Sequence, residues 1–109
     1  MAKYGNRKTT VNGIEFDSKR EANRYVELTY LLRAGLIKDL QTQVPYVLMD
    51  GFRKDGRAVR AITYIADFIY TDEHGKTVVE DAKGHRTKEY LIKKKLFEWR
   101  YPELTISEV

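Results

Sequence analysis

A ten-residue apolar segment near the middle of the chain constrains the fold more than any other sequence feature. Residues 61–70, AITYIADFIY, are apolar at both odd and even positions apart from Asp67 and one threonine. A strand with one face in water alternates between apolar and polar residues, whereas a strand covered on both faces does not. The segment therefore predicts a central strand in a sheet with packed layers on both sides.

Helix caps, turn residues and periodicity place the other elements around this strand. Ser18 and Gly35 are typical of the start and the end of a helix, and Pro45 is typical of an edge strand or a bulge. The predicted elements, in chain order, are a helix between Ser18 and Gly35, strands at 40–49, 61–70 and 77–83, a helix at 87–100 and a strand at 104–109. This order, αβββαβ, predicts an α/β fold with a mixed four-stranded sheet and a helix on each face.

The composition limits both the number of domains and the chemistry of any site. With 109 residues and no cysteine, the chain is predicted to form one domain at 1–109 with a basic N-terminal arm at 1–12, and thiolate chemistry is excluded. Because it has only two histidines, a metal would be held mainly by oxygen, as magnesium, manganese and calcium are. No signal peptide or membrane-spanning run is visible, so we expect a cytoplasmic protein without a membrane partner.

The net charge of +4 is unevenly distributed along the chain. Residues 1–20 carry +3 and residues 83–100 carry +5, whereas residues 21–82 carry −2. Cationic flanks around an acidic centre are typical of a polyanion-binding surface beside a carboxylate site. A solvated lysine face on a surface helix explains the same pattern equally well.

Asp67 is an ionisable residue in an otherwise apolar strand, which is costly unless the carboxylate has partners. Across the predicted hairpin comes Asp81-Ala82-Lys83, in which Asp81 and Lys83 share one face of a strand while Glu80 points to the other. If the hairpin pairs Asp67 with Asp81, two carboxylates and one ammonium group converge. Such a set predicts a divalent-metal site for phosphodiester hydrolysis, with Lys83 orienting water or stabilising negative charge.

Glu21 is a fourth candidate, on the predicted first helix. It lies at the edge of the apolar stripe of that helix, whose opposite, solvated side is predicted to carry Arg20, Arg24 and Glu27. Ser18-Lys19-Arg20-Glu21 also fits the capping-box pattern S-x-x-E, in which the glutamate only closes the start of the helix. The sequence leaves both an active-site role and a capping role open.

Taken together, these residues resemble a known pattern. The order αβββαβ, with an acid on the second strand and D/E-x-K on the third, resembles the PD-(D/E)xK nuclease superfamily. Within it, the chain is similar to small phage-encoded, DUF1064-like endonucleases that carry four short motifs. In this sequence the motifs are KYGN at 3–6, GIEFDSKREA at 13–22, YIADF at 64–68 and VEDAKG at 79–84.

The resemblance implies a restriction-endonuclease-like core and a Mg²⁺- or Mn²⁺-dependent endodeoxyribonuclease. It implies Asp67 and Asp81 as metal ligands, Lys83 as the catalytic lysine, and Glu21 as the first-helix acid and additional ligand that Holliday-junction resolvases use. The implied substrate is DNA, branched in phage recombination or replication, and the implied site of action is the host cytoplasm. Because branched DNA has two-fold character, a homodimer is expected. Ala66 departs from the pattern, since it replaces the proline.

Basic residues on either side of the acidic centre are candidate contacts to DNA phosphates. The candidates are Lys3, Arg7 and Lys8 in the arm, and Arg86, Lys88, Lys93 and Lys95 in and before the second helix. That helix has two apolar stripes: Ile92, Leu96 and Trp99, predicted to face the sheet, and Tyr90, Phe97 and Tyr101. The second stripe indicates either a helix buried on two sides or a dimer or DNA surface.

Two other functions fit parts of the sequence. A non-catalytic nucleic-acid-binding protein on a nuclease-derived fold would use the basic flanks but would have no use for Asp67, Asp81 and Lys83 together. A small interaction protein could bind an acidic partner through its basic helix.

Overall fold

The computed structural model describes residues 8–83 and 85–109. Within them lie eight strands and two helices. The elements are β1 (Thr9–Val11), β2 (Ile14–Phe16), α1 (Lys19–Arg33), β3 (Lys38–Met49), β4 (Phe52–Lys54), β5 (Arg57–Val59), β6 (Ile62–Thr71), β7 (Thr77–Asp81), α2 (Lys88–Arg100) and β8 (Ile106–Glu108).

The largest sheet has four strands in the order β3-β6-β7-β8. The pairs β3–β6 and β6–β7 are antiparallel, whereas β7–β8 is parallel, so the prediction of a mixed four-stranded sheet with two helices is confirmed. The strand that carries Asp67, β6, lies inside this sheet, and the strand that carries Pro45, β3, lies at its edge, where a residue without an N–H is tolerated.

Two small hairpins add to the predicted order of elements. β1 pairs with β2 before α1, and β4 pairs with β5 between β3 and β6. The first of them lies partly in the predicted basic arm at 1–12, whose residues Thr9–Val11 form β1 and whose residues 1–7 lie outside the described part of the chain. The second lies between the predicted strands at 40–49 and 61–70, where the sequence analysis placed no helix or strand.

The caps of α1 explain its bounds. The side chain of Ser18 accepts a hydrogen bond from the backbone N–H of Glu21, which satisfies one of the free donors of the first turn. Gly35 has a φ of +76° just after the helix, and the N–H of Leu36 bonds the carbonyl of Leu31 as in a Schellman motif. Neither helix of the described chain is long and apolar enough to cross a membrane.

Side chains from the sheet pack into two hydrophobic clusters. Tyr90 and Phe97 of α2 belong to the first cluster, and Ala22 and Leu28 of α1 belong to the second. Strand β6 contributes to both clusters. Its residues Tyr64, Ala66 and Ile69 belong to the first cluster, and Phe68 and Tyr70 belong to the second. Strict alternation would put residues 64, 66, 68 and 70 on one face, so the alternation of β6 is interrupted at Asp67.

The interruption has a counterpart on the neighbouring strand. Gln43 has a φ of +54°, which is rare for a residue with a side chain. The paired residues step from Thr42–Phe68 to Val44–Ala66, so Gln43 stands opposite Asp67. The left-handed backbone of Gln43 therefore lies opposite the point in β6 at which the alternation is interrupted, and Asp67 occupies that point within the continuous strand.

Two predictions about helix faces are wrong. In α2 the stripe of Tyr90 and Phe97 is the buried one. Of the stripe predicted to face the sheet, Leu96 packs against the first cluster, whereas Ile92 and Trp99 are exposed by 60% and 74%. The sequence did not decide which stripe is buried, because both stripes consist of aromatic or aliphatic residues. The packing of Phe97 against Tyr46 and Tyr64 determines the buried face. In α1, Arg24 does not lie on a solvated face but bonds the buried Glu80.

Candidate active site

The antiparallel pairing of β6 and β7 brings Asp67 and Asp81 to the same level of the sheet. Phe68 pairs with Glu80, so the next pair in register is Asp67 opposite Asp81, where β7 ends. Asp67 Oδ2 accepts a hydrogen bond of 2.8 Å from the backbone N–H of Ala82, and Asp81 Oδ2 accepts one of 2.6 Å from the hydroxyl of Tyr64. The two carboxylates are therefore fixed by neighbouring backbone and side-chain donors.

One oxygen of Asp81 lacks such a donor. Asp81 is 2% exposed, and its Oδ1 accepts no hydrogen bond from any residue that the structure describes. The ammonium Nζ of Lys83 lies 3.2 Å from this oxygen and 4.4 Å from the centre of the Tyr90 ring. A buried carboxylate oxygen without a donor is costly in an apolar interior, and it is available to a cation.

Glu21 reaches the same region from α1. Its side chain is 4% exposed, and its Oε2 accepts a hydrogen bond from the side chain of Gln43. The capping box is present only in part, because Ser18 bonds the N–H of Glu21 while the Glu21 carboxyl group bonds Gln43. Burial raises the pKa of Glu21 to about 8, with further contributions from Asp67, Asp17 and Asp81.

The electrostatics couple the three acids. Burial, followed by the charge of Asp81, raises the pKa of Asp67 to about 6, while the N–H of Ala82 and the charge of Lys83 oppose the rise. Carboxyl groups whose pKa is raised by burial and by neighbouring acids are a mark of functional sites, because this repulsion does nothing for folding. Divalent cations relieve such repulsion.

The carboxylate oxygens of these acids suit a hard divalent ion, but the geometry limits how many of them can bind one ion. Among the residues described, no three His, Cys, Asp or Glu side chains stand close enough to form a metal cluster, so Glu21, Asp67 and Asp81 do not form one here. Magnesium commonly takes only one or two protein carboxylates and completes its shell with water and substrate phosphate. Asp67 and Asp81, whose Oδ1 accepts no hydrogen bond from the described residues, meet that lesser requirement.

Glu80 lies beside Asp81 in sequence but belongs to a different environment. It is 2% exposed, and its two oxygens accept bonds of 2.8 and 2.7 Å from Nε and Nη2 of Arg24. The hydroxyl of Tyr70 also donates to Glu80. As the strand parity predicts, Glu80 points away from Asp81, and both of its oxygens are occupied.

The predicted nucleic-acid-binding residues fall into three groups. Lys3 and Arg7 lie outside the described part of the chain. Lys8 and Arg86 are exposed but form ion pairs, Lys8 with Glu15 at 3.7 Å and Arg86 with Glu108 at 3.2 Å. Lys88 and Lys95 are exposed one heptad apart on α2, and Lys93 is half-buried on another side of that helix.

Sequence reasoning missed three residues that position the cluster: Gln43, Tyr64 and Tyr90. Gln43 bonds Glu21, Tyr64 bonds Asp81, and the ring of Tyr90 lies beside the ammonium group of Lys83. Tyr64 begins the YIADF motif and Tyr90 belongs to the second stripe of α2, but neither pattern indicated a contact to the acids or the lysine. Each contact depends on the backbone of β3 and β6 near Asp67 or on which face of α2 is buried.

The raised pKa values predict how stability depends on pH when no divalent ion is present. Between the ordinary pKa of Glu21 near 4.5 and its folded value of about 8, the folded protein holds a proton that the unfolded chain has lost. The unfolding free energy is therefore expected to fall as pH rises from 5 to about 8, with Asp67 adding to the fall up to about 6. Urea titrations in EDTA measure the slope, and Glu21→Gln is expected to flatten it above pH 6. A slope equal in wild type and Glu21→Gln would contradict the raised pKa of Glu21.

The fold and the site define a mixed α/β protein with a buried cluster of acidic residues and one lysine. The chain belongs to the family described as "Protein of unknown function (DUF1064)", whose profile matches residues 1–109. The resemblance to DUF1064 proteins is thus confirmed, whereas nuclease activity and phage origin stay predictions. No curated protein and no solved structure matches the chain with significance.

Proposed function

We propose that this protein is a metal-dependent DNA endonuclease that hydrolyses phosphodiester bonds. The proposal includes a restriction-endonuclease-like core in the order αβββαβ, formed by α1, β3, β6, β7, α2 and β8, with a helix on each face of the sheet. The separate clusters around α1 and α2 support that arrangement. The hairpins β1–β2 and β4–β5 are then additions to the core.

The observation that carries the proposal is the junction of β6 and β7. Asp67 and Asp81 come next in the register of two neighbouring strands, the buried Oδ1 of Asp81 lacks a hydrogen bond from the described residues, and Lys83 Nζ lies 3.2 Å from that oxygen. A protein that only bound nucleic acid would gain nothing from burying two repelling carboxylates beside one lysine. Hydrolysis of a phosphodiester uses all three groups.

The residues would divide the chemistry as follows. Asp67 and Asp81 would hold Mg²⁺ or Mn²⁺, with Glu21 as a further acid, and the ion would polarise the scissile phosphate and lower the pKa of the attacking water. Lys83, kept in place by Asp81 and the Tyr90 ring, would donate a hydrogen bond to a phosphate oxygen as negative charge develops. Water attacks phosphorus, the bond to the leaving oxygen breaks, and a phosphate end and a hydroxyl end result.

For the substrate we propose branched DNA, cut by a homodimer in the cytoplasm of a phage host. An enzyme that selects DNA structure relies on backbone contacts more than on base contacts. The exposed lysines of α2, Lys88 and Lys95, suit such contacts. The exposed Ile92 and Trp99 offer apolar surface for a second copy.

Incubation with a four-way junction, a nicked duplex and a linear duplex tests the function. We expect Mg²⁺-dependent cleavage of the junction, no cleavage in EDTA, and loss of at least about 100-fold in rate for Lys83→Met, the scale of removing one group that stabilises transition-state charge. Lys76→Met, in the turn between β6 and β7, is the matched control and should cleave normally. Binding of all three DNAs without cleavage in Mg²⁺ or Mn²⁺ would instead favour the non-catalytic alternative.

A further inference from the structure

The hairpin of β4 and β5 is a cationic projection to which the site described above assigns no role. Every residue from Gly51 to Ala58 is exposed, and within the described chain β4 and β5 have substantial contacts only with each other. An isolated two-stranded hairpin is marginally stable in water and adds little to folding. Its sequence, FRKDGRAVR at 52–60, nevertheless contains four basic residues and one acidic residue.

The charges of the hairpin oppose its own folding. Lys54 and Arg57 are direct cross-strand partners on either side of the Asp55-Gly56 turn. Like charges at directly opposed positions destabilise a strand pair. Neither residue, nor Arg60, forms an ion pair with a carboxylate in the described chain, whereas Lys8, Arg24, Arg86 and Lys94 do. Phe52, which shares their face by strand parity, is 48% exposed.

The hairpin continues the ribbon that carries Asp67. Met49 pairs with Ile62 and Phe52 pairs with Val59 in the same register, so β4–β5 extends β3–β6 beyond the main sheet. The two strands approach closely where the parts join, since a Cβ on Gly51 would lie 3.1 Å from the carbonyl oxygen of Val59. Arg100 of α2 contacts the base of the hairpin, at the end of β3. Its guanidinium group donates a hydrogen bond to the carbonyl of Leu48 and lies 3.8 Å from the carboxylate of Asp50.

This geometry sets the distance between the hairpin and the candidate active site. Arg60 and Arg57 are seven and ten residues from Asp67 along one ribbon. At about 3.3 Å per residue they lie at most roughly 23 and 33 Å from it. DNA rises about 3.4 Å per base pair, so the two cations lie at most about 7 and 10 base pairs from a phosphate bound at Asp67.

We propose that the β4–β5 hairpin is a DNA-binding arm, whose Lys54, Arg57 and Arg60 contact the phosphate backbone of one duplex arm within about one helical turn of the cleaved bond. The inference rests on the proposed nuclease function and adds to it a contact surface that the sequence did not predict. DNA phosphates would neutralise Lys54 and Arg57 and so relieve the repulsion between these two cross-strand partners. Binding would also release counterions from the DNA, which contributes favourable free energy.

Salt-dependent binding tests the arm. In EDTA, Lys54→Gln/Arg57→Gln is compared with Lys38→Gln/Lys76→Gln, which removes the same charge at the opposite end of the sheet. For a four-way junction with arms longer than one helical turn, the hairpin pair is expected to bind on the order of 50-fold more weakly at about 0.1 M salt. The slope of log K against log salt should fall by about 1.8, and the control pair should match the wild type.

A single cysteine provides a second readout, because the chain has none of its own. Asp55→Cys places a label at the hairpin tip, and Glu73→Cys places one in the turn at the opposite end of β6. Asp55 is 12 residues from Asp67, so an attached iron–EDTA reagent is expected to cut the DNA within about 12 base pairs of the scissile bond on the hairpin side. A reagent attached at residue 73 should not cut on that side.

The possible outcomes separate the two proposals. If the wild type cleaves the junction but the hairpin pair binds with unchanged affinity and salt slope, the arm is refuted while the nuclease function stands. That result would instead favour an acidic protein as the partner of the hairpin. Failure of the wild type to bind any DNA would overturn both.

Discussion

Asp81→Asn is expected to abolish Mg²⁺-dependent cleavage without loss of stability. The substitution removes one carboxylate charge from a site where Asp67 and Glu21 repel it, and it keeps an oxygen that can accept from Tyr64. Loss of a direct ligand should exceed the 10- to 100-fold effect typical of groups that only support ligands, so we expect a rate loss above about 100-fold. The unfolding free energy in EDTA should change by less than about 1 kcal/mol, because the relief of repulsion among the acids offsets the loss of the ion pair between Asp81 and Lys83.

Single-turnover cleavage and urea titration of the same preparations measure the two effects. Glu73→Gln, an exposed acid in the turn between β6 and β7, is the control and should change neither. A variant that is inactive only because it unfolds would place Asp81 among structural residues, and a variant that still cleaves would exclude it as a ligand.

Glu80→Ala is expected to have the opposite profile, a large loss of stability. The substitution leaves the guanidinium of Arg24, which makes two bonds to Glu80, and the hydroxyl of Tyr70 without their acceptor. Removing one partner of a buried ion pair typically costs about 3–5 kcal/mol. Urea titration should therefore give an unfolding free energy lower by about that amount.

A double-mutant cycle with Arg24→Ala isolates the pair. The coupling between Arg24 and Glu80 should be large, whereas Glu27→Ala, which removes the exposed partner of Arg24, should cost less than about 1 kcal/mol. If Glu80→Ala remained stable and lost cleavage, Glu80 rather than Asp81 would be the ligand of β7, contrary to the parity argument.

The sequence was sufficient to predict elements whose pattern is local. Residues 61–70 predicted an interior strand, Ser18 and Gly35 predicted the bounds of α1, and the parity of Asp81 and Glu80 predicted that they point apart. Each of these depends on contacts or dihedral preferences within a few residues. The meeting of Asp67 and Asp81 followed as well, because hairpin register is determined by the turn between the strands.

Other features could not be predicted, because they depend on contacts distant in sequence. The left-handed backbone of Gln43 lies opposite Asp67 on the adjacent strand, and nothing in the sequence of either segment indicates it. The buried face of α2 was predicted wrongly, since two apolar stripes competed and only the packing of Phe97 against the sheet decides between them. Arg24 was assigned to solvent, because nothing local indicates that Glu80, 56 residues away, needs a partner.

The central claim is that Asp67 and Asp81 bind a metal ion that cleaves DNA. The rate of junction cleavage as a function of Mg²⁺ concentration tests it most directly, since this rate depends on the metal, the carboxylates and the DNA together. We predict a rate that is zero in EDTA, rises to saturation with Mg²⁺ in the wild type, and is lost in both Asp67→Asn and Asp81→Asn while Glu73→Gln retains it. Cleavage that persists in EDTA, or that survives both aspartate substitutions in folded protein, would contradict the account.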